Sequence, residues 1–150
     1  MDLKTQLSDA MKQAMKANDD VARRTTRMAL AAIKQTEIDK RTSLDDAAVT
    51  ALLQKEIKNR REAIEEARKA DRADLVADNE AEIKVLEAFL PKAMSPEELR
   101  ALAQAAVAET GATSQSDMGK VMKALMPRVA GRAAGDQVSA VVKELLTGQA

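Results

Sequence analysis

Four cationic side chains, Lys120, Lys123, Arg128 and Arg132, fall between Met118 and Gly135 with no acidic residue among them. The stretch reads D-M-G-K-V-M-K-A-L-M-P-R-V-A-G-R-A-A-G-D, bracketed by Asp117 and Asp136. In a chain of 150 residues with a formal net charge of zero, this is a local excess of one sign. Uncompensated positive charge attracts phosphate, so these side chains suit contact with a nucleic-acid backbone, which they can position without reading bases. With no Tyr, no Trp and a single Phe, stacking on splayed bases is nearly excluded. Four phosphate contacts imply a log–log salt slope of about −3 to −4.

Other chemistry is harder to assemble. Histidine and cysteine are both absent, which removes the commonest general base, the commonest metal ligand, thiolate sites and disulfides. The serines stand at helix starts beside no candidate base. Asp19/Asp20 and Glu65/Glu66 are paired carboxylates, but adjacent helical positions point apart, so capping and solubility explain them better. No phosphate-binding glycine loop occurs, and Gly119-Lys120 is a lone dipeptide. No catalytic residue, metal site or cofactor is expected.

The elements that must hold the basic stretch are helices. Met118, Val121, Met122, Leu125 and Met126 recur at i, i+3, i+4, i+7 and i+8, one apolar stripe with Lys120 and Lys123 opposite. Pro127 should end or bend this helix near Met126. A helix capped by Asp136 follows, with Val138, Val141, Val142, Leu145 and Leu146 at the same spacing and Gly148 closing it. Before the stretch, Ser95-Pro96-Glu97-Glu98 is a capping box opening a helix that buries Leu99, Leu102, Ala103 and Ala106 and ends at Gly111. Thr113, Ser114 and Ser116 offer caps for the Met118 helix.

Upstream, Leu3, Leu7, Met11 and Met15 form a four-residue ladder ending near Asn18. Asp19 and Asp20 cap a second helix, about Val21 to Arg41, whose stripe of Met28, Leu30, Ile33 and Ile38 is narrow and interrupted. Ser43 or Asp45 caps a third, burying Val49, Leu53, Ile57, Ile64 and Ala67. Its interleaved charges, Lys55 to Arg72, read as a solvated face, with Glu65 and Lys69 placed for an i, i+4 pair. A break at Asp71 to Asp74 precedes a fourth helix with Leu75, Val76, Ile83, Leu86 and Leu90, although no Gly or Pro forbids a continuous rod. Phe89-Leu90-Pro91 ends that helix, and a short linker follows. The chain therefore reads as all-α, a long-helix domain over 1–94 and a small three-helix domain over 95–150. With no leader and no long apolar run, a cytoplasmic protein with no membrane contact is expected.

The run MGKVMKALMPRVAGRAAG resembles the signature of the YqeY family, and EIKVLEAFLPKAMSPEEL from Glu82 to Leu99 resembles that family's junction. The resemblance covers the whole chain. Phe89 stands where the family more often has Tyr, which removes a hydroxyl and leaves the packing role. The family's C-terminal domain is similar to the tail of GatB, a subunit of the glutamine-dependent tRNA amidotransferase. That similarity implies a non-catalytic accessory module that binds RNA, tRNA in particular, through Lys120, Lys123, Arg128 and Arg132. A carbon–nitrogen ligase label with glutamine as amido donor would belong to the larger subunit. The implied partners are tRNA and amidotransferase subunits or another protein. Mixed-charge helices, and an exposed Met118–Met122–Met126 face, leave open a protein-interaction module without RNA binding. A purely structural helix–turn–helix fits the pattern as well.

Overall fold

The computed structural model describes residues 1–147, and every regular element among them is helical. The α-helices are α1 (Leu3–Ala17), α2 (Asp20–Lys40), α3 (Asp46–Lys69), α4 (Ala73–Glu87), α5 (Pro96–Thr110), α6 (Met118–Val129) and α7 (Gly135–Leu146). A single 3-10 turn, Gln115–Asp117, precedes α6. The helices form two compact units, Met1–Leu90 and Pro91–Ala150.

In the first unit, the helix boundaries follow from short polar side chains. Asp2, Asp19 and Asp45 each accept a backbone N–H from the first turn of α1, α2 and α3. Asn18 and Arg41 close α1 and α2 in the left-handed region, which releases the chain to reverse. The break between α3 and α4 is real: Asp71 has φ +55° and Arg72 is the N-cap of α4. A continuous rod is thereby excluded. Leu3, Leu7, Ile33, Val49, Leu53, Ile57, Ile64, Ile83 and Leu86 make the core, with Phe89 packed against it in the role expected of that ring.

Three parts of the apolar reading are corrected. Met15 is exposed and Ala14 takes its place inside, because the ladder drifts round a 3.6-residue helix. Met28 and Ile38 are exposed at 54% and 59%, whereas Thr25, Thr26, Ala29 and Ile33 are buried. The stripe looked interrupted because it mixed two opposite faces. Leu75 is likewise exposed.

The charged run of α3 is not wholly solvated. Arg60 is only 7% exposed. Its Nε donates to Glu82 Oε2 on α4 at 2.8 Å, and its Nη1 to Glu56 Oε2 at 2.9 Å. Arg24 of α2 reaches the other oxygen of Glu82 at 3.2 Å, so one carboxylate ties α2, α3 and α4 together. The expected Glu65–Lys69 pair is absent among the described residues; Lys69 pairs with Glu66 and Arg68 with Glu65, both one turn back.

In the second unit, Ser95 and Glu98 form the expected capping box, and Gly111 closes α5 at φ +68°. Leu99, Ala103, Ala106, Val121, Leu125, Val129, Val138, Val142 and Leu146 are buried in one cluster. Met118, Met122, Val141 and Leu145 pack at its edge, while Met126 is 37% exposed. The methionines therefore do not form an open face. The buried phase of α6 is Val121–Leu125–Val129.

Pro127 does not end α6. The helix runs on to Val129 and closes at Ala130, whose φ is +50° and whose N–H reaches Met126 O at 3.2 Å. Pro127 lies on the exposed side near the last turn, so the Lys123 carbonyl that loses its donor can turn to water. Asp136 is not the cap of α7. Ala134 holds that position, and the Asp136 carboxylate accepts from Gln137 N–H inside the first turn. The closing role expected of Gly148 lies outside the described residues.

Candidate nucleic-acid interface

The basic stretch is held by the core beneath it. With Val121, Leu125 and Val129 turned inward, Lys120 and Lys123 emerge on the opposite side of α6, and both are exposed. Neither has a carboxylate within ion-pair distance among the described residues. Asp117, just before α6, feels the charge of Lys120. Its Oδ2 accepts from Thr113 N–H at 2.9 Å and Ser114 N–H at 3.3 Å, which fixes the turn that launches the helix. Those backbone donors hold its carboxyl below the usual value, and Lys120 adds to the effect.

The two arginines are placed differently. Arg128 forms an ion pair with Glu109 near the C-terminus of α5. That contact raises the Arg128 pKa and lowers that of Glu109. Arg132 follows the left-handed pair Ala130 and Gly131, whose φ values are +50° and +77°. Its Nε donates to Lys92 O at 3.0 Å and its Nη2 to Glu98 Oε2 at 3.3 Å. Its own carbonyl accepts from Met94 N–H at 2.8 Å. The short linker expected after Pro91 is thus hydrogen-bonded into the second unit at Lys92 and Met94.

Glu98 is pulled below its usual value first by the Ser95 N–H and then by the Arg132 charge. It has two jobs. It closes the capping box of α5 and anchors the turn after α6. Glu98 and Glu109 stand at opposite ends of α5, about 16 Å apart along the axis at the usual rise per residue. Arg128 and Arg132, four residues apart in sequence, are therefore drawn to opposite ends of the same neighbour.

Lys120 and Lys123 share the outward side of α6, while each arginine is engaged by an acid of α5. The charge that sequence leaves uncompensated is half compensated by α5. Helical spacing could have flagged Glu98 and Glu109 as exposed acids on α5, but their pairing with a later segment has no local signature. Among the described residues no group of three or more acidic side chains is arranged to hold a metal ion. No helix there is long and apolar enough to cross a membrane.

A family model described as Yqey-like protein matches residues 4–146. The chain belongs to that family. It is 40% identical over 111 residues to a protein of Eremothecium gossypii named altered inheritance of mitochondria protein 41, mitochondrial, covering 71% of this chain and 60% of that one. The protein of the same name from Lachancea thermotolerans is 38% identical over 91 residues, 60% of this chain and 49% of the relative. The Yqey-like chain thus spans about half to three fifths of the length of these curated relatives. The family model reaches across both units, so membership does not rest on the basic stretch alone.

Proposed function

We propose that this Yqey-like chain is a non-catalytic accessory module that holds RNA, tRNA in particular, and serves a tRNA-dependent amidotransferase in the cytoplasm. The observation that carries the reading is the pair Lys120 and Lys123, exposed on the outward side of α6 with no ion-paired carboxylate among the described residues. Such ammonium groups release counterions on meeting phosphate, which is the main source of sequence-independent affinity. Arg128 and Arg132 join them at lower yield, since each must share its charge with Glu109 or Glu98. The preference for tRNA, and amidotransferase subunits as partners, come from the resemblance of the second unit to the tail of GatB.

The mode is backbone positioning by charge, with specificity from shape. A filter-binding titration of the full chain with bulk tRNA at two salt concentrations tests it. Binding that weakens steeply with salt supports the reading; no binding at low ionic strength ends it.

A further inference from the structure

Helix α2 carries two faces of different chemistry. Thr25, Thr26, Ala29 and Ile33 turn into the first unit. On the far side Met28, Ala31, Gln35 and Ile38 follow one another at intervals of three, four and three, the a and d spacing of a heptad repeat. All four are exposed, the two large ones at 54% and 59%. Arg27 and Lys34 line one flank seven residues apart, at the g positions, and Arg41 continues the interval just past the helix. Each is exposed, and none has a carboxylate within ion-pair distance among the described residues. The other flank holds Ala32 and Asp39, whose carboxylate accepts from Gln35 at 2.8 Å.

We infer that this face docks an amphipathic helix of a partner protein, one with an apolar heptad stripe flanked by carboxylates. Charge complementarity selects that occupant. Carboxylates opposite Arg27 and Lys34 would supply partners that the chain itself withholds, while the partner's apolar stripe covers Met28, Ala31 and Ile38. A second copy fits worse. Packed antiparallel, it would set Arg27 and Lys34 against their own kind. Packed parallel, it would bring Lys34 to Asp39 but leave Arg27 facing Ala32. A phosphate backbone would satisfy the cations and leave the apolar line uncovered. The inference concerns the first unit and stands apart from the RNA reading of the second.

Two synthetic three-heptad peptides test it, both with Leu at a and d, one with Glu and one with Lys at e and g. Like charges at e and g keep each peptide from pairing with itself at neutral pH. Fluorescence anisotropy with the full chain should show the Glu peptide binding at least tenfold tighter than the Lys peptide at low salt. R27E/K34E should reverse that preference, and I38D should weaken the Glu peptide at least tenfold. These positions are exposed, and circular dichroism of each variant checks that helicity is kept. Equal binding of both peptides, or an I38D variant that binds as the wild type does, overturns the inference. So does self-association of the chain that I38D abolishes while neither peptide binds, which assigns the face to a second copy. Loss of tRNA binding in R27E/K34E with neither peptide bound overturns it in favour of nucleic acid.

Discussion

Arg60 Nε donates to Glu82 Oε2 at 2.8 Å across the α3–α4 pair, and the arginine is almost wholly withdrawn from water. A buried guanidinium depends on its carboxylates, so removing one partner costs more than the pair contributes net. Glu82→Ala should destabilise the protein by about 2–3 kcal/mol, moderated because Glu56 still holds Arg60. Lys58→Ala, on the exposed side of the same helix, should cost only a few tenths. Chemical denaturation compares the two. Equal losses would mean that Arg60 is solvated after all.

The phase of α6 makes a second prediction. Leu125→Ala and Val142→Ala should each cost on the order of 2–4 kcal/mol, since both side chains are fully buried in a small core. Met126→Ala and Lys123→Ala should each cost a few tenths to about 1 kcal/mol, being exposed. Thermal melts that rank Met126 with Leu125 would contradict the buried phase described above.

Thr25 offers a test in the opposite direction. Its Oγ1 is buried and has no hydrogen-bond partner among the described residues. Neighbouring Thr26 Oγ1 instead donates to Ala22 O at 2.7 Å. A buried hydroxyl without a partner costs free energy, so Thr25→Val should be neutral or stabilising by up to about 1 kcal/mol. Thr26→Val, which deletes a made bond, should not stabilise. Denaturation midpoints for the two variants decide it.

Acid should weaken the second unit. Glu98, Glu109 and Asp117 all have folded pKa values below their ordinary ones of 4.5, 4.5 and 3.8. The unfolded chain therefore binds protons first as pH falls. The stabilisation is complete above these ordinary values and is lost on descending through the lower, folded ones. The melting temperature should be higher at pH 6 than at pH 3. Glu109→Gln, which uncouples one carboxylate from Arg128, should narrow that difference. A melting temperature that is flat or rises toward pH 3 would count against the pairs.

Most helix boundaries are legible because their signals are local, whereas Pro127 and Asp136 misplace the end of α6 and the start of α7 by a few residues. Asp19, Asp45, Ser95 and Gly111 act within one turn of themselves, and each stands where its side chain or backbone freedom predicts. What was not legible is what depends on distant partners. Arg60 looked like one more surface charge until Glu82, 22 residues on, came against it. Hydrophobic type alone points Met28 and Ile38 to the core, but the inward face of α2 belongs to Thr25, Thr26 and Ala29. In the basic stretch, sequence identified the exposed Lys120 and Lys123. It had no means of finding Glu98 and Glu109, which lie 34 and 19 residues before their arginines.

That compensation supplies the most direct test of the RNA reading. Salt-dependent tRNA binding is measured for the full chain, for K120Q/K123Q, for R128Q/R132Q and for E109Q. The wild type should bind with a log–log salt slope between about −2 and −4. K120Q/K123Q should reduce that slope by about 2, and R128Q/R132Q by less, because those charges are already shared. E109Q should bind more tightly than the wild type, since it frees Arg128 for phosphate. No salt-dependent binding at low ionic strength, or K120Q/K123Q binding as the wild type does, would contradict the account.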